Sequence, residues 1–284
     1  MDGRLPTIRR AGFPGHAHLR HRGGDLMNSF TAFFARLGTA IKVSRHASQA
    51  MATRMTALVS IVLIPLFDLF FSLLMGASLQ ADSLVRIGYA STLVGIGITA
   101  MSFINQSVVY ARWVGIIQDV IQRRGPYPVY WLGISFWAAA AALGMGLVPF
   151  LGTFAFDASH SGSLLLTALA AVPLALLVGI ALGAFTSAFG LLMSDPYALS
   201  NACGFLLPIT AGTVVPLGYY PWHLGSVLRF LPLSSLVQAL TGRTPLGQAL
   251  LIELVQAIVW TSFGFLGMRV AVSRLRSGEM KQIL

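Results

Sequence analysis

LLLTALAAVPLALLVGIALGAFTSAFGLL, residues 164–192, runs without one charged side chain. About 20 predominantly apolar residues suffice for a helix to cross the hydrocarbon core of a bilayer. This stretch exceeds that length, and it is one of a series. Outward from it, similar blocks lie at Met55–Ala77, Gly88–Tyr110, Tyr130–Leu151, Leu199–Val215 and Gly247–Met268. The whole chain follows suit, with 56% hydrophobic and 10% charged residues and a mean hydropathy of +0.76. A soluble domain carries about 25% charged residues. The expected fold is therefore an all-α integral membrane protein with six transmembrane helices, and a soluble globular enzyme is excluded.

The quoted block also carries detail. Pro173 lies in its outer half, and Gly179, Gly183 and Ser187 recur at four-residue spacing, which puts small residues on one helical face for close packing against a neighbour. It ends at Met193, Ser194, Asp195 and Pro196, where Asp195 is placed to cap the following helix and Pro196 suits a first turn. A tight cytoplasmic hairpin is expected there.

Charge orients the bundle. With both termini cytoplasmic, nine Lys and Arg residues precede the first span, three lie between the second and third, and four follow the last. Those sixteen stand against Arg86, Arg229 and Arg243 outside, which satisfies the positive-inside rule. The net charge of +10 thus reads as topology and not as a nucleic-acid surface, because the basic residues flank apolar blocks. The single cysteine, Cys203, has no partner for an internal disulfide.

Residues 1–27 are rich in Arg, His and Gly without an apolar core, which resembles a disordered tail and not a signal peptide. Met27 is a candidate natural start, and His16, His18 and His21 read as solvated, so no metal site is expected. Residues 28–54 hold an amphipathic helix: Phe30, Phe33, Phe34, Leu37 and Ile41 share a face, as in a helix lying along the cytoplasmic leaflet. A soluble amphipathic helix packing on a partner has the same pattern. The membrane domain is 55–268, and 269–284 form a cytoplasmic tail.

Three segments carry candidate function. After the second span, Trp113, Ile116, Ile117, Val120 and Ile121 fall on one face and Arg112, Gln118, Asp119 and Arg123 on another. That is a short cytoplasmic helix, fit either to dock into a groove on a soluble partner or to rest on headgroups. Before the last span, Pro216–Pro245 is too apolar for an exposed loop. Pro216, Pro221, Trp222, His223, Arg229 and Pro232 fit short helices re-entering the outer leaflet, with a plain extracellular loop as the alternative. Asp68 is the one acid in mid-span, where an ionised group usually faces a cavity, a partner helix or a proton. Asn105, Gln106, Glu253 and Gln256 add polarity nearer span ends and complete a candidate path or subunit interface.

This order of features resembles the type-2 permease family of ATP-binding-cassette exporters, from Phe30 to the end. Tyr110–Gly133 resembles that family's coupling segment, and PLGYYPWHLGSVLRFLPLSSLVQALTG, residues 216–242, resembles its proline-framed outer segment. Ala111, Arg112 and Trp113 stand where the family often carries a Glu-rich stretch. The resemblance implies that Gln118, Asp119 and Arg123 lie near an ATPase groove and that Trp222, His223 and Arg229 lie in the outer re-entrant region. It implies two ABC-type ATPase subunits, a second permease copy, and outward movement of a hydrophobic drug-like, lipid-like or glycan-lipid cargo across the cell membrane. The sequence contains no GxxxxGK[ST] phosphate-binding loop, so ATP and Mg belong to the partner chain. The chain itself binds no cofactor in this reading and is a transporter subunit, not an enzyme. A gradient-driven secondary transporter using Asp68 is the competing reading. An intramembrane enzyme is disfavoured, since neither HExxH nor GxSxG occurs.

Overall fold

The computed structural model describes residues 22–115 and 128–277, and all regular structure among them is helical. α1 is Arg22–Ala47, and its first turns lie in the stretch read as tail. A 3-10 turn at Gln49–Met51 leads to α2, Arg54–Ser78. Then follow α3, Leu84–Trp113, α4, Pro128–Phe156, α5, Gly162–Gly190, and α6, Ala198–Thr210. The short helices α7, Leu224–Leu228, and α8, Ser234–Leu240, precede α9, Leu246–Ser277. Helices α2, α3, α4, α5 and α9 are each long and apolar enough to cross a membrane, which marks a multi-pass membrane protein.

Helix α3 is the central post. Of its most apolar 18 residues 72% are buried, against 17% for α2, so α3 is largely enclosed while α2 leans on the bundle's flank. Tyr89, Leu93, Ile96 and Met101 of α3 meet Val178 and Leu182 of α5 and Leu236 and Leu240 of α8 in one core. The small-residue face of α5 behaves as its spacing predicts. A Cβ placed on Gly179 would overlap the carbonyl oxygen of Gly97, and one on Gly183 would stand 2.6 Å from the Ile104 Cβ. Close approach of two backbones replaces the hydrophobic driving force that lipid removes. The same device seats α1 on α4, where a Cβ on Gly133 would stand 2.5 Å from that of Ala40.

The fifth expected span, Leu199–Val215, is the largest departure. The helix there is 13 residues long, about 20 Å at 1.5 Å per residue. It stops because Gly212 takes a positive φ of 87°, and the N–H groups of Thr213 and Val214 turn back to the Pro208 carbonyl at 3.1 and 3.3 Å. The expected cap also sits early: Asp195 accepts from the Tyr197 N–H at 2.9 Å, ahead of the helix start. Conversely, α3 and α9 outrun their expected spans at both ends.

Two anchors on α3 locate the segment between α5 and α9. The Asn105 side chain donates to the Pro196 carbonyl at 3.3 Å, and Arg86 donates to the Leu240 carbonyl at 2.9 Å. Nineteen helical steps separate these anchors, about 28 Å, so the chain travels that distance along α3 while folding as three short helices. At the Asn105 end, Ala271 of α9 packs with Val108, Ala111 and Leu191, and α1 meets the first turns of α4 there.

The α4–α5 turn is held by Asp157. Its Oδ1 accepts from the Ser159 hydroxyl at 2.6 Å and the Ser159 N–H at 2.9 Å, and its Oδ2 from the Ser161 N–H at 2.9 Å. The Ser159 hydroxyl, foremost, holds this carboxyl below its usual 3.8.

Gly179→Ala should destabilise the protein by about 1–3 kcal/mol, because backbone on both sides leaves nothing to yield. Gly95→Ala, which meets nothing within 4 Å, should be neutral or gain up to about 1 kcal/mol of helix propensity. Thermal unfolding in detergent compares them, and equal midpoints would refute the close crossing. For Asp157, a lowered folded-state pKa gives stability that is present above 3.8 and lost as pH falls through the lowered value. Asp157→Asn should therefore be less stable than wild type at neutral pH, with the gap closing in acid.

Candidate functional site: a mainly apolar cleft beside Asp68

The site begins with a proline. Pro65 has no N–H and would crowd the carbonyl four residues before it in an unbroken α-helix. The preceding turn, Val59–Leu63, widens to a π-helix, with the Ile64 N–H bonded to the Val59 carbonyl. This single-turn bulge sets the register of everything after it in α2, including Asp68, Leu69 and Ser72.

Those residues form one wall of a cleft of about 420 Å3 between α2, α3, α4 and α6. The α3 wall carries Ser91, Thr92, Gly95 and Thr99, the α4 wall Met145, Gly146 and Pro149, and the α6 side Gly204, Phe205, Pro208 and Thr213. The α4 wall contributes from the half of its helix nearer the α4–α5 connection, whereas the α2 wall runs from Ser60 to Ser72. Asp68 is exposed to it and makes no hydrogen bond or ion pair with a described residue. Among the described residues it is also the one ionisable group lining the cleft.

The hydroxyls around it are partly committed. Ser91 and Thr92 both donate to the Gly88 carbonyl, at 3.1 and 2.8 Å, and Thr213 donates to the Pro208 carbonyl at 2.8 Å. Each keeps lone pairs but has placed its proton. Ser91, Gly95 and Thr99 recur at four-residue spacing, so this polar stripe was readable; it was hidden because Ser and Thr are unremarkable in apolar spans.

The other expected path residues do not gather at Asp68. Asn105 is buried at the far end of α3, and its side-chain oxygen has no partner among the described residues. The Gln106 side-chain oxygen is likewise buried without one among them. Glu253 is fully buried in α9 and bonds elsewhere: its carboxylate accepts from the Leu233 N–H at 3.2 Å and the Ser235 N–H at 3.1 Å. These are first-turn donors of α8, which no residue within that helix can satisfy. Leu233 holds a left-handed backbone, φ 69°, and its side chain fills the space that a Cβ on Gly97 would take. Nothing in the sequence signals this arrangement. Gln256, one turn on, is buried with both amide atoms unpaired.

Arg112 closes the last turn of α3. It donates to the carbonyls of Gly190 and Met193 at 3.0 and 3.2 Å, where the dipole of α5 favours a cation. Trp113 is exposed and packs edge-on against Tyr197 at 6.1 Å. Gln118, Asp119 and Arg123 lie outside the described residues.

The segment Pro216–Pro245 divides in two. Pro216 precedes a 3-10 turn at Leu217–Tyr219. Pro221, Trp222, His223 and Arg229 are all exposed, Trp222 at 97%, with Val227 and Phe230 beside them. From Pro232 to Leu240 the chain is buried. An exposed apolar half and a packed half suit a segment whose first part meets the bilayer interface.

Removing the α8 cap should be costly. Glu253→Ala leaves at least two buried N–H groups unpaired, about 1–3 kcal/mol each, while Glu253→Gln keeps one acceptor oxygen and should lie between Ala and wild type in thermal midpoint. An Ala variant as stable as wild type would remove Glu253 from this role. Comparison of the chain with protein-family models, curated proteins and solved structures gives no match.

Proposed function

We propose that the chain is the membrane-spanning permease of an ATP-binding-cassette exporter of the type-2 class, driven by a separate ATPase. The observation that carries this reading is the passage from Pro196 to Leu240. It begins at one end of α3 and finishes at the other as a short helix, a proline-framed turn and a buried helix. Counted with the five long helices, it supports a six-crossing chain with both ends on one side, which the excess of Arg and Lys there makes cytoplasmic. The amphipathic α1 at that same end and the absence of a phosphate-binding loop from the sequence further support it.

In this reading two ATPase copies dock beneath α3, against the segment bearing Gln118, Asp119 and Arg123, and bind the ATP and Mg themselves. A second permease copy faces the loosely packed α2, whose Phe67, Phe70, Phe71 and Leu74 are exposed. ATP-driven closure of the ATPases tilts the permeases and moves an apolar cargo, drug-like, lipid-like or glycan-lipid, out of the cell membrane. One observation favours a second reading: Asp68, unpaired beside a cleft, suits a proton or cation site of a gradient-driven transporter.

Purification in mild detergent from cells co-expressing the neighbouring genes tests the two. The exporter reading expects a co-purifying subunit with ATPase activity, reduced severalfold by the double variant Asp119→Arg, Arg123→Glu. Absence of any ATPase, with uptake or efflux that follows an ion gradient and fails in Asp68→Asn, would replace it with the second.

A further inference from the structure

We infer that the cleft beside Asp68 is a binding site for lipophilic monocations. As the cargo site of an exporter the inference rests on the reading above; as a binding site it does not. Its volume, about 420 Å3, falls in the range of about 300–1,000 Å3 that holds drug-sized ligands. The walls are mainly apolar, with aromatic rings from Phe71 and Phe205 that can face a cation.

Charge selects among the ligands that would fit. A carboxylate in an apolar setting needs a compensating partner, and no described residue of this chain supplies one to Asp68. Among the described residues no Lys, Arg or His lines the cleft. The protons of Ser91, Thr92 and Thr213 are already placed on backbone carbonyls. What these hydroxyls have left to offer is lone pairs, which adds to the negative character of the wall and offers nothing to an anion. An occupant that brings a single positive charge on an apolar body completes the site, whereas an anionic lipid or sugar phosphate would meet Asp68 unscreened.

Gly95 gives an independent handle. It lines the cleft, and a Cβ there meets nothing within 4 Å, so a large side chain at 95 occupies ligand space without pressing on the core. The test uses the full chain in nanodiscs, with tetraphenylphosphonium as the probe, tetraphenylborate as its anionic counterpart, and empty nanodiscs for partitioning into lipid. Saturable binding of the phosphonium above the empty-disc level is expected, with none of the borate. Asp68→Asn should weaken phosphonium binding by about tenfold or more, and Gly95→Phe should abolish it while the protein still elutes as a single species. A wild type that binds no more phosphonium than empty discs, or an Asp68→Asn variant that binds it as wild type does, overturns the proposal. An ATPase that co-purifies with a protein failing this test leaves the exporter reading standing without this site. Phosphonium binding by a protein that carries no ATPase upholds the site and sinks the exporter.

Discussion

The backbone contact between Gly97 of α3 and Gly179 of α5 is the constraint on which the rest of the bundle depends. In lipid, apolar side chains gain little by meeting each other, so helices associate where their surfaces fit. Two glycines at one crossing let α3 and α5 meet backbone to backbone. That proximity leaves a notch beside Gly97, which Leu233 fills. The left-handed turn at Leu233 directs α8 into the core and exposes its first N–H groups in a place without water, and Glu253 satisfies them. A fully buried carboxylate in α9 is thus explained by a pair of glycines two helices away.

Much of this order was legible and some was not, for physical reasons. The four-residue repeat of Gly179, Gly183 and Ser187 announced close packing because spacing alone decides which residues share a helical face. Asp68 announced itself because an acid in mid-span is expensive. The length of α6 was misread, since Leu199–Val215 is uniformly apolar and hydropathy does not register that Gly212 has turned to positive φ. The ends of α3 and α9 were missed in the opposite sense: Arg86, Arg269, Arg274 and Arg276 lower hydropathy but continue the helix.

Site residues divide along the same line. Sequence spacing placed Arg112 on a polar face but could not name what that face meets, and here it meets the carbonyls of Gly190 and Met193. Glu253 read as polarity near a span end, and its partners come from a segment 18 to 20 residues earlier in the chain. The cleft's hydroxyls come from α2, α3 and the turn after α6; the four-residue spacing of Ser91, Gly95 and Thr99 is legible in sequence, but that Ser60, Ser72 and Thr213 join it is decided only in space.

The widened turn at Val59–Leu63 has a consequence for where function is encoded. A π turn holds one residue more than an α turn, and one residue of a helix is about 100° of rotation. Were that turn to relax to α, the remainder of α2 would advance by about that angle about its own axis, and Asp68 would take the bearing that the buried Leu69 now has. The carboxylate's bearing is therefore set about one to three turns earlier in the helix, by a widened turn and the proline that follows it.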